Sequence, residues 1–150
     1  MKDATEKTAN YSFGQKICYI LSNGSYMATV VTLTGLFLVI SGVQYWITDY
    51  IQTVLGHSKE TAFIIYILVG AAGPILGVAF SGCVFDRIGG YHGRNTPVLF
   101  TILLMTASVF GILSAFFDEL VWVAACLLAQ LLSGGLTVPV LTGYMLSQVP

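Results

Sequence analysis

Charge is scarce in this sequence: of its 150 residues, six are lysine or arginine and seven are aspartate or glutamate. Charged residues make up 9% of the chain and hydrophobic residues 56%, whereas soluble domains contain about 25% charged residues. This composition excludes a water-soluble globular protein. The formal net charge of −1 and the lack of a basic cluster also exclude nucleic acid as a partner.

Side chains that perform catalysis or bind metals are few as well. Each of the three cysteines lies in an apolar stretch, and no two of them have the spacing of a metal site. The two histidines, His57 and His92, lie in different connections, so no nucleophile and base can be paired. We therefore expect no enzymatic activity, no metal and no cofactor.

What the sequence contains instead is a set of four uncharged runs, over residues 17–48, 61–85, 95–117 and 120–150. Each is at least as long as the roughly 20 apolar residues that a helix needs to cross a hydrocarbon core. The runs do not alternate as barrel strands do, and a helix pairs its own backbone groups in lipid. The sequence therefore predicts an all-α polytopic membrane protein with four transmembrane helices in a lipid bilayer.

The predicted organisation is a short lead followed by one transmembrane domain. Residues 1–25 form a cytoplasmic lead with a short interfacial helix, ended by Asn23 and Gly24. Residues 26–150 form a four-span domain with spans at about 26–50, 61–85, 96–116 and 120–148. The two-residue connection before the fourth span makes the last two spans a hairpin, and the apolar third span is expected to face lipid.

The basic residues indicate the orientation of these spans. Lys59 lies in the first connection, whereas the other five basic residues fall on the opposite side of the spans: Lys2, Lys7, Lys16, Arg87 and Arg94. By the positive-inside rule, the N-terminus and the connection from Arg87 to Arg94 are cytoplasmic. The connection that holds Lys59 faces away from the cytoplasm.

One side of the second span has almost no side chains, because small residues and a proline recur there at Gly70, Gly73, Pro74, Gly77 and Ser81. In lipid, helices associate through close approach of small residues, so this face is predicted to pack against another helix. Pro74 also removes a backbone hydrogen bond next to the pliable Gly73. Pure packing and a conformational hinge both remain open.

Two of the predicted spans have a polar stripe. In the fourth span the stripe consists of Gln130, Ser133, Gly134, Thr137, Tyr144 and Gln148, with Pro139 interrupting the hydrogen-bond ladder. In the first span it consists of Thr34, Ser41, Tyr45 and Asp49, and Gln44 and Thr48 continue its outer half. A polar stripe in a membrane helix faces protein or water, so we expect the two stripes to line a shared cavity.

The connection between the second and third spans contains the pattern Gly-x-x-x-Asp-Arg-x-Gly, formed by Gly82, Asp86, Arg87 and Gly89 and followed by Gly90 and Arg94. Asp86 meets the negative end of the helix dipole and needs a donor from a neighbouring helix or a guanidinium. The pattern resembles the cytoplasmic loop signature of the major facilitator superfamily. In that family basic residues follow the last glycine directly, whereas here the base arrives only at Arg94.

The resemblance implies four helices out of a transporter with twelve. Residues 42–50 are similar to helix seven of spinster-like and related organic-solute members, so the spans resemble helices seven to ten. It follows from the resemblance that the chain is incomplete as given and that its partners are the remaining helices and a small organic solute. Asp86 and Arg87 would belong to a cytoplasmic latch.

The same resemblance assigns a gate and a substrate path. Gln44, Tyr45 and Asp49 would help to form the extracellular gate. The family's cavity-lining helices seven and ten correspond to the first and fourth spans, which would place Gln130, Thr137 and Tyr144 on the path. The implied activity is secondary active or facilitative transport by alternating access.

A small four-span structural or assembly subunit of a membrane complex is the alternative function. It has no transport activity and predicts that Gln130, Thr137 and Gln148 pack onto a partner instead of lining water. The sequence alone leaves both functions open.

Overall fold

The structure contains four helices that are long and apolar enough to cross a membrane. The computed structural model describes residues 12–87 and 96–147. Its candidate spans are Gly24–Thr53, Lys59–Val84, Thr96–Ser114 and Leu120–Ser147. The predictions of an all-α fold and of four spans are confirmed, and the chain is a multi-pass membrane protein.

Two polar residues start the first two helices. The backbone N–H of Ser12 donates to Gln15 Oε1 at 3.0 Å, and helix α1, Phe13–Ser22, follows. Asn23 ends α1 and begins the next helix, because its Oδ1 accepts the N–H groups of Ser25 and Tyr26 at 3.1 and 3.4 Å. Helix α2, Gly24–Thr53, is the first span.

The second span is not a uniform α-helix. It consists of α3, Lys59–Ile65, a π-helical turn, Tyr66–Ala71, and α4, Ala72–Asp86. Before it, Gly56 has a φ of 67°, the left-handed conformation that glycine adopts easily, and this lets the chain reverse between α2 and α3. A π turn inside a membrane helix frequently marks a functional position.

Helix α6, Leu120–Ser147, lies at the centre of the bundle and has more buried residues than any other helix that the structure describes. The broken second span packs along one side of it, and α5, Thr96–Ser114, along another, while α2 makes a smaller contact. Only Thr96, Ala107 and Ser114 of α5 are buried, in agreement with a lipid-facing third span. The apolar core joins α2, the second span and α6 through Ile47, Ile51, Ala62, Val69, Val123, Leu127 and Leu131.

Candidate functional site

The second and fourth spans cross with their backbones in direct contact. A Cβ added at Gly77 would lie 2.5 Å from the Leu132 carbonyl oxygen and 2.8 Å from Gly135 Cα. A Cβ at Gly135 would lie 2.7 Å from the Pro74 carbonyl oxygen. The small-residue face of the second span therefore packs against another helix, as predicted, and its partner is the backbone of α6 around Leu132 and Gly135.

Two more glycines lie in helix contacts near this crossing: Gly73 faces α6, and Gly134 faces α2. A Cβ on Gly73 would lie 3.0 Å from Leu131 Cβ, and one on Gly134 would lie 3.4 Å from Ile40 Cδ1 of α2. Gly134 is thus a packing position between α6 and α2. Pro139 lies one turn beyond Gly135 inside α6, where it removes the N–H that would bind the Gly135 carbonyl.

Pro74 also removes a backbone hydrogen bond, in the second span, and Gln44 replaces it. Because proline has no N–H, the Gly70 carbonyl loses its usual donor four residues later. Gln44 Nε2 on α2 donates to that oxygen at 3.0 Å. Gln44, predicted as a gate residue, therefore binds the first span to the π turn of the second.

Gln130 is a buried amide in the middle of α6. Its side chain is 8% exposed, and its Oε1 accepts no hydrogen bond from the residues that the structure describes. The amide lies against Gly111 of α5, where an added Cβ would be 2.9 Å from Nε2 and 3.1 Å from Oε1. An unpaired polar group inside a membrane-spanning helix bundle is costly, which makes Gln130 a candidate functional residue.

A cavity of about 250 Å³ lies beside Gln130, between α2, α5 and α6. Its polar lining consists of Thr32, Ser108 and Gln130, and the rest is apolar side chains and glycine. Thr32 Oγ1 and Ser108 Oγ each donate to a carbonyl of their own helix, that of Ala28 at 2.8 Å and that of Leu104 at 2.9 Å. Their hydroxyl oxygens remain acceptors.

The residues of the two predicted polar stripes differ in their exposure. Tyr45 is 74% exposed and Asp49 is exposed, whereas Thr137 is 0% exposed inside the helix packing. Tyr144 is half-buried, with its ring 5.9 Å from that of Phe100 on α5. The cavity between the first and fourth spans is lined by Gln130 and Gly134 of the fourth-span stripe, and its first-span lining is Thr32, Gly35, Leu36, Val39 and Ile40. A cavity lined by both stripes therefore stays a prediction.

The loop motif is described only in part. Gly82, Asp86 and Arg87 lie at the end of the second span and are exposed, and a Cβ on Gly82 would meet nothing within 4 Å. This open face leaves room for a neighbouring helix. Gly89, Gly90 and Arg94 of the motif, and Gln148 of the fourth span, lie outside the described residues.

Two of these features have no counterpart among the sequence predictions. Gly111 accommodates the Gln130 amide, and Gly135 forms the crossing with Gly77. The sequence signal for Gly135 is its adjacency to Gly134, because neighbouring glycines in a membrane helix indicate close helix contact. Gly111 is the only glycine in its span and offers no comparable signal.

Comparison with known proteins finds no match to a family model, to a curated protein or to a solved structure.

Replacing Gln130 by leucine is expected to stabilise the ligand-free chain by about 1 kcal/mol, because it removes a buried amide whose oxygen has no donor. The free energy of unfolding in mixed micelles measures the effect. Gln52→Leu is the control, since Gln52 Nε2 bonds within its own helix to the Thr48 carbonyl. If Gln130→Leu instead lowered the free energy of unfolding by about 1 kcal/mol, Oε1 would have a hydrogen-bond donor in the native protein.

Proposed function

We propose that the chain is part of a secondary active or facilitative transporter that moves a small organic solute by alternating access. The supporting observation is the construction of the second span, in which the π turn and Pro74 interrupt the ladder above a tight crossing at Gly77. Segments in which the regular ladder is broken can bend at a defined position. A carrier that alternates between two states needs such positions.

The second support is the motif at the far end of the same helix. Asp86 and Arg87 are exposed at the end of α4, where a helix of the missing part can supply a donor to the carboxylate. The exposed outer end of α2, with Tyr45 and Asp49, offers a surface for an outer gate. Both surfaces require the remaining helices of the transporter, which are the proposed partners.

The placement of Gln130 and Thr137 changes one detail of this proposal. Thr137 is 0% exposed inside the helix packing, and Gln130 lines the separate cavity between α2, α5 and α6, so the fourth span contributes to the solute path through other positions or after a rearrangement. Tyr144 is half-buried and stays the best candidate of the three. The solute itself is proposed only as a small organic molecule.

Asp86→Asn in the full-length carrier is expected to lower solute uptake about tenfold, because loss of a charge-assisted hydrogen bond of roughly 1.4 kcal/mol or more weakens the latched state. Uptake of a panel of radiolabelled organic solutes into proteoliposomes measures the effect. Asp118→Asn in the third connection is the matched control, and membrane insertion of both variants is checked by protease protection. Unchanged uptake by Asp86→Asn would contradict the latch.

An assembly subunit is the second candidate, and the exposed length of α2 favours it. Large side chains such as Val31, Leu38 and Trp46 are more than half exposed, so α2 presents a face that a partner protein can cover. The two functions differ in one measurement. Chain extracted from its native membrane in mild detergent should migrate as a single transporter polypeptide under the first proposal and together with different polypeptides under the second.

A further inference from the structure

The cavity beside Gln130 has the chemistry of a ligand site. We propose that it binds a neutral, mostly apolar molecule with one hydroxyl group, which enters from the bilayer. This site lies between α2, α5 and α6, on other residues than the gate and latch positions. The inference does not rest on the proposed transport function, because its test measures binding alone.

Size is the first argument. The cavity measures about 250 Å³, and an apolar cavity of roughly 150 Å³ is enough to hold benzene. A ring compound with about ten carbons therefore suits the space. Most of the lining is aliphatic, including Leu36, Ile40 and Leu131, so the body of the ligand must be apolar.

The polar atoms of the cavity lining determine which functional group the ligand needs. The hydroxyl hydrogens of Thr32 and Ser108 are engaged by helix carbonyls, and Gln130 Oε1 has no donor among the described residues. The Thr32 and Ser108 oxygens can therefore accept a hydrogen bond from a ligand where they stand, and Gln130 Oε1 can do so once it turns from its enclosed position against Gly111. A ligand hydroxyl can donate to Gln130 Oε1 and accept from its Nε2, and the broad terminal torsion of glutamine lets the amide turn toward the cavity.

The lack of charge in the lining excludes an ionic ligand. No lysine, arginine, aspartate or glutamate lines the cavity within the described ranges. A charged group at this depth would remain unpaired and costly. A lipid acyl chain can fill the apolar part of the cavity, but it cannot form a hydrogen bond with the Gln130 amide. An alcohol should therefore displace the acyl chain.

The test compares menthol with p-menthane, which has the same carbon skeleton without the hydroxyl. Saturable binding of tritiated menthol is measured on the 150-residue chain in phosphatidylcholine nanodiscs, with protein-free nanodiscs as the background. We expect one site at which menthol competes roughly threefold to tenfold better than p-menthane, the effect of one net hydrogen bond. No saturable binding, or equal competition by both compounds, would overturn the proposal.

Two pairs of variants locate the site. Gln130→Leu should reduce menthol binding to the level of p-menthane, whereas Gln52→Leu should leave it unchanged. Gly35→Leu should abolish binding, because a Cβ at Gly35 meets nothing within 4 Å and its side chain would fill the cavity. A Cβ at Gly42 also meets nothing within 4 Å, but Gly42 does not line the cavity. The Gly42→Leu variant should therefore bind menthol as the parent chain does.

Neither test variant is expected to prevent folding. Gln130→Leu removes an unpaired amide, and Gly35→Leu replaces a helical glycine by a better helix former in open space. Menthol binding that survives both substitutions would place the site elsewhere and would end the proposal.

Discussion

Replacement of Gly77 or Gly135 by alanine is expected to cost about 3 kcal/mol of stability and to separate the second and fourth spans. The added methyl group would lie 2.5 Å from the Leu132 carbonyl oxygen in the first variant and 2.7 Å from the Pro74 carbonyl oxygen in the second. These obstacles are backbone atoms within helices, so a side-chain rotation cannot relieve the clash. The two helix axes must move apart, which is the overpacking penalty in a severe form.

In a membrane this penalty is a large fraction of the free energy that holds two helices together. Helices in lipid gain no hydrophobic free energy from association, so close packing supplies most of what holds them together. Moving α4 away from α6 weakens the contacts around the crossing, including that of Gly73 with Leu131. The second span then loses its main neighbour.

Unfolding in mixed micelles with increasing dodecyl sulfate, followed by circular dichroism, measures this prediction. Gly42→Ala and Gly82→Ala are the controls, because a Cβ at either position meets nothing within 4 Å. They should be neutral or stabilise the chain by up to about 1 kcal/mol, as alanine does in helices. The Gly77→Ala/Gly135→Ala double variant should lose less stability than the two single variants added together. Either substitution alone already separates the same two helices, so the second one removes little more.

If Gly77→Ala behaves like Gly42→Ala, the two backbones do not touch at this crossing.

The number and type of helices were predictable because lipid imposes a simple rule on charge. Charged side chains are excluded from the hydrocarbon core, so the uncharged runs mark the spans. The observed limits differ by a few residues; the third span ends at Ser114, after which the Phe116 N–H bonds to the Leu113 carbonyl at 3.0 Å. Such ends depend on local hydrogen bonds that composition does not specify.

The partner of the small-residue face was not predictable, although the face itself was. Any helix with small residues at the right height can approach Gly77, and the first and fourth spans both have glycines. Gly134 lies on a polar stripe that was expected to face protein or water, and it was also, with Pro139, a candidate for packing or for a hinge. The structure uses Gly134 and Gly135 for packing against two different neighbours.

Several hydroxyl groups of the polar stripes form hydrogen bonds within their own helix. A hydroxyl in a helix can donate to the carbonyl one turn earlier, so it does not require water or a partner helix. Thr137 Oγ1 donates to the Ser133 carbonyl at 2.8 Å, and Ser133 Oγ donates to the Ala129 carbonyl at 2.8 Å. Sequence spacing cannot distinguish such internally paired residues from those lining a cavity. Gln130 cannot satisfy itself in this way, and it is the residue left with an unpaired oxygen.

Gln44→Leu is expected to destabilise the chain by about 2 kcal/mol, because it leaves the Gly70 carbonyl without a donor inside the bundle. Pro74 has already removed the ordinary helical donor to that oxygen. Leucine preserves the size of the side chain, so the change tests the hydrogen bond and not the packing. The free energy of unfolding in mixed micelles gives the value.

Pro74→Ala should make Gln44 dispensable. Alanine supplies an N–H four residues after Gly70, so the helix can pair that carbonyl by itself. In the Pro74→Ala background, Gln44→Leu should therefore cost at least 1 kcal/mol less than in the parent chain, which a double-mutant cycle measures. Equal costs in both backgrounds would show that Gln44 does not repair the proline break.

The same substitution tests the hinge. If Pro74 and the π turn make the second span pliable, Pro74→Ala should slow amide hydrogen exchange over residues 66–74 by about tenfold, the effect of one restored hydrogen bond of roughly 1.4 kcal/mol. Residues 96–114 serve as the internal reference, because α5 contains no such interruption after its first turn. Packing alone predicts equal exchange in parent and variant, whereas a hinge predicts slower exchange confined to the π turn. Since Gln44 pins the Gly70 carbonyl, Gln44→Leu should shift exchange of the same amides in the opposite direction, making them faster.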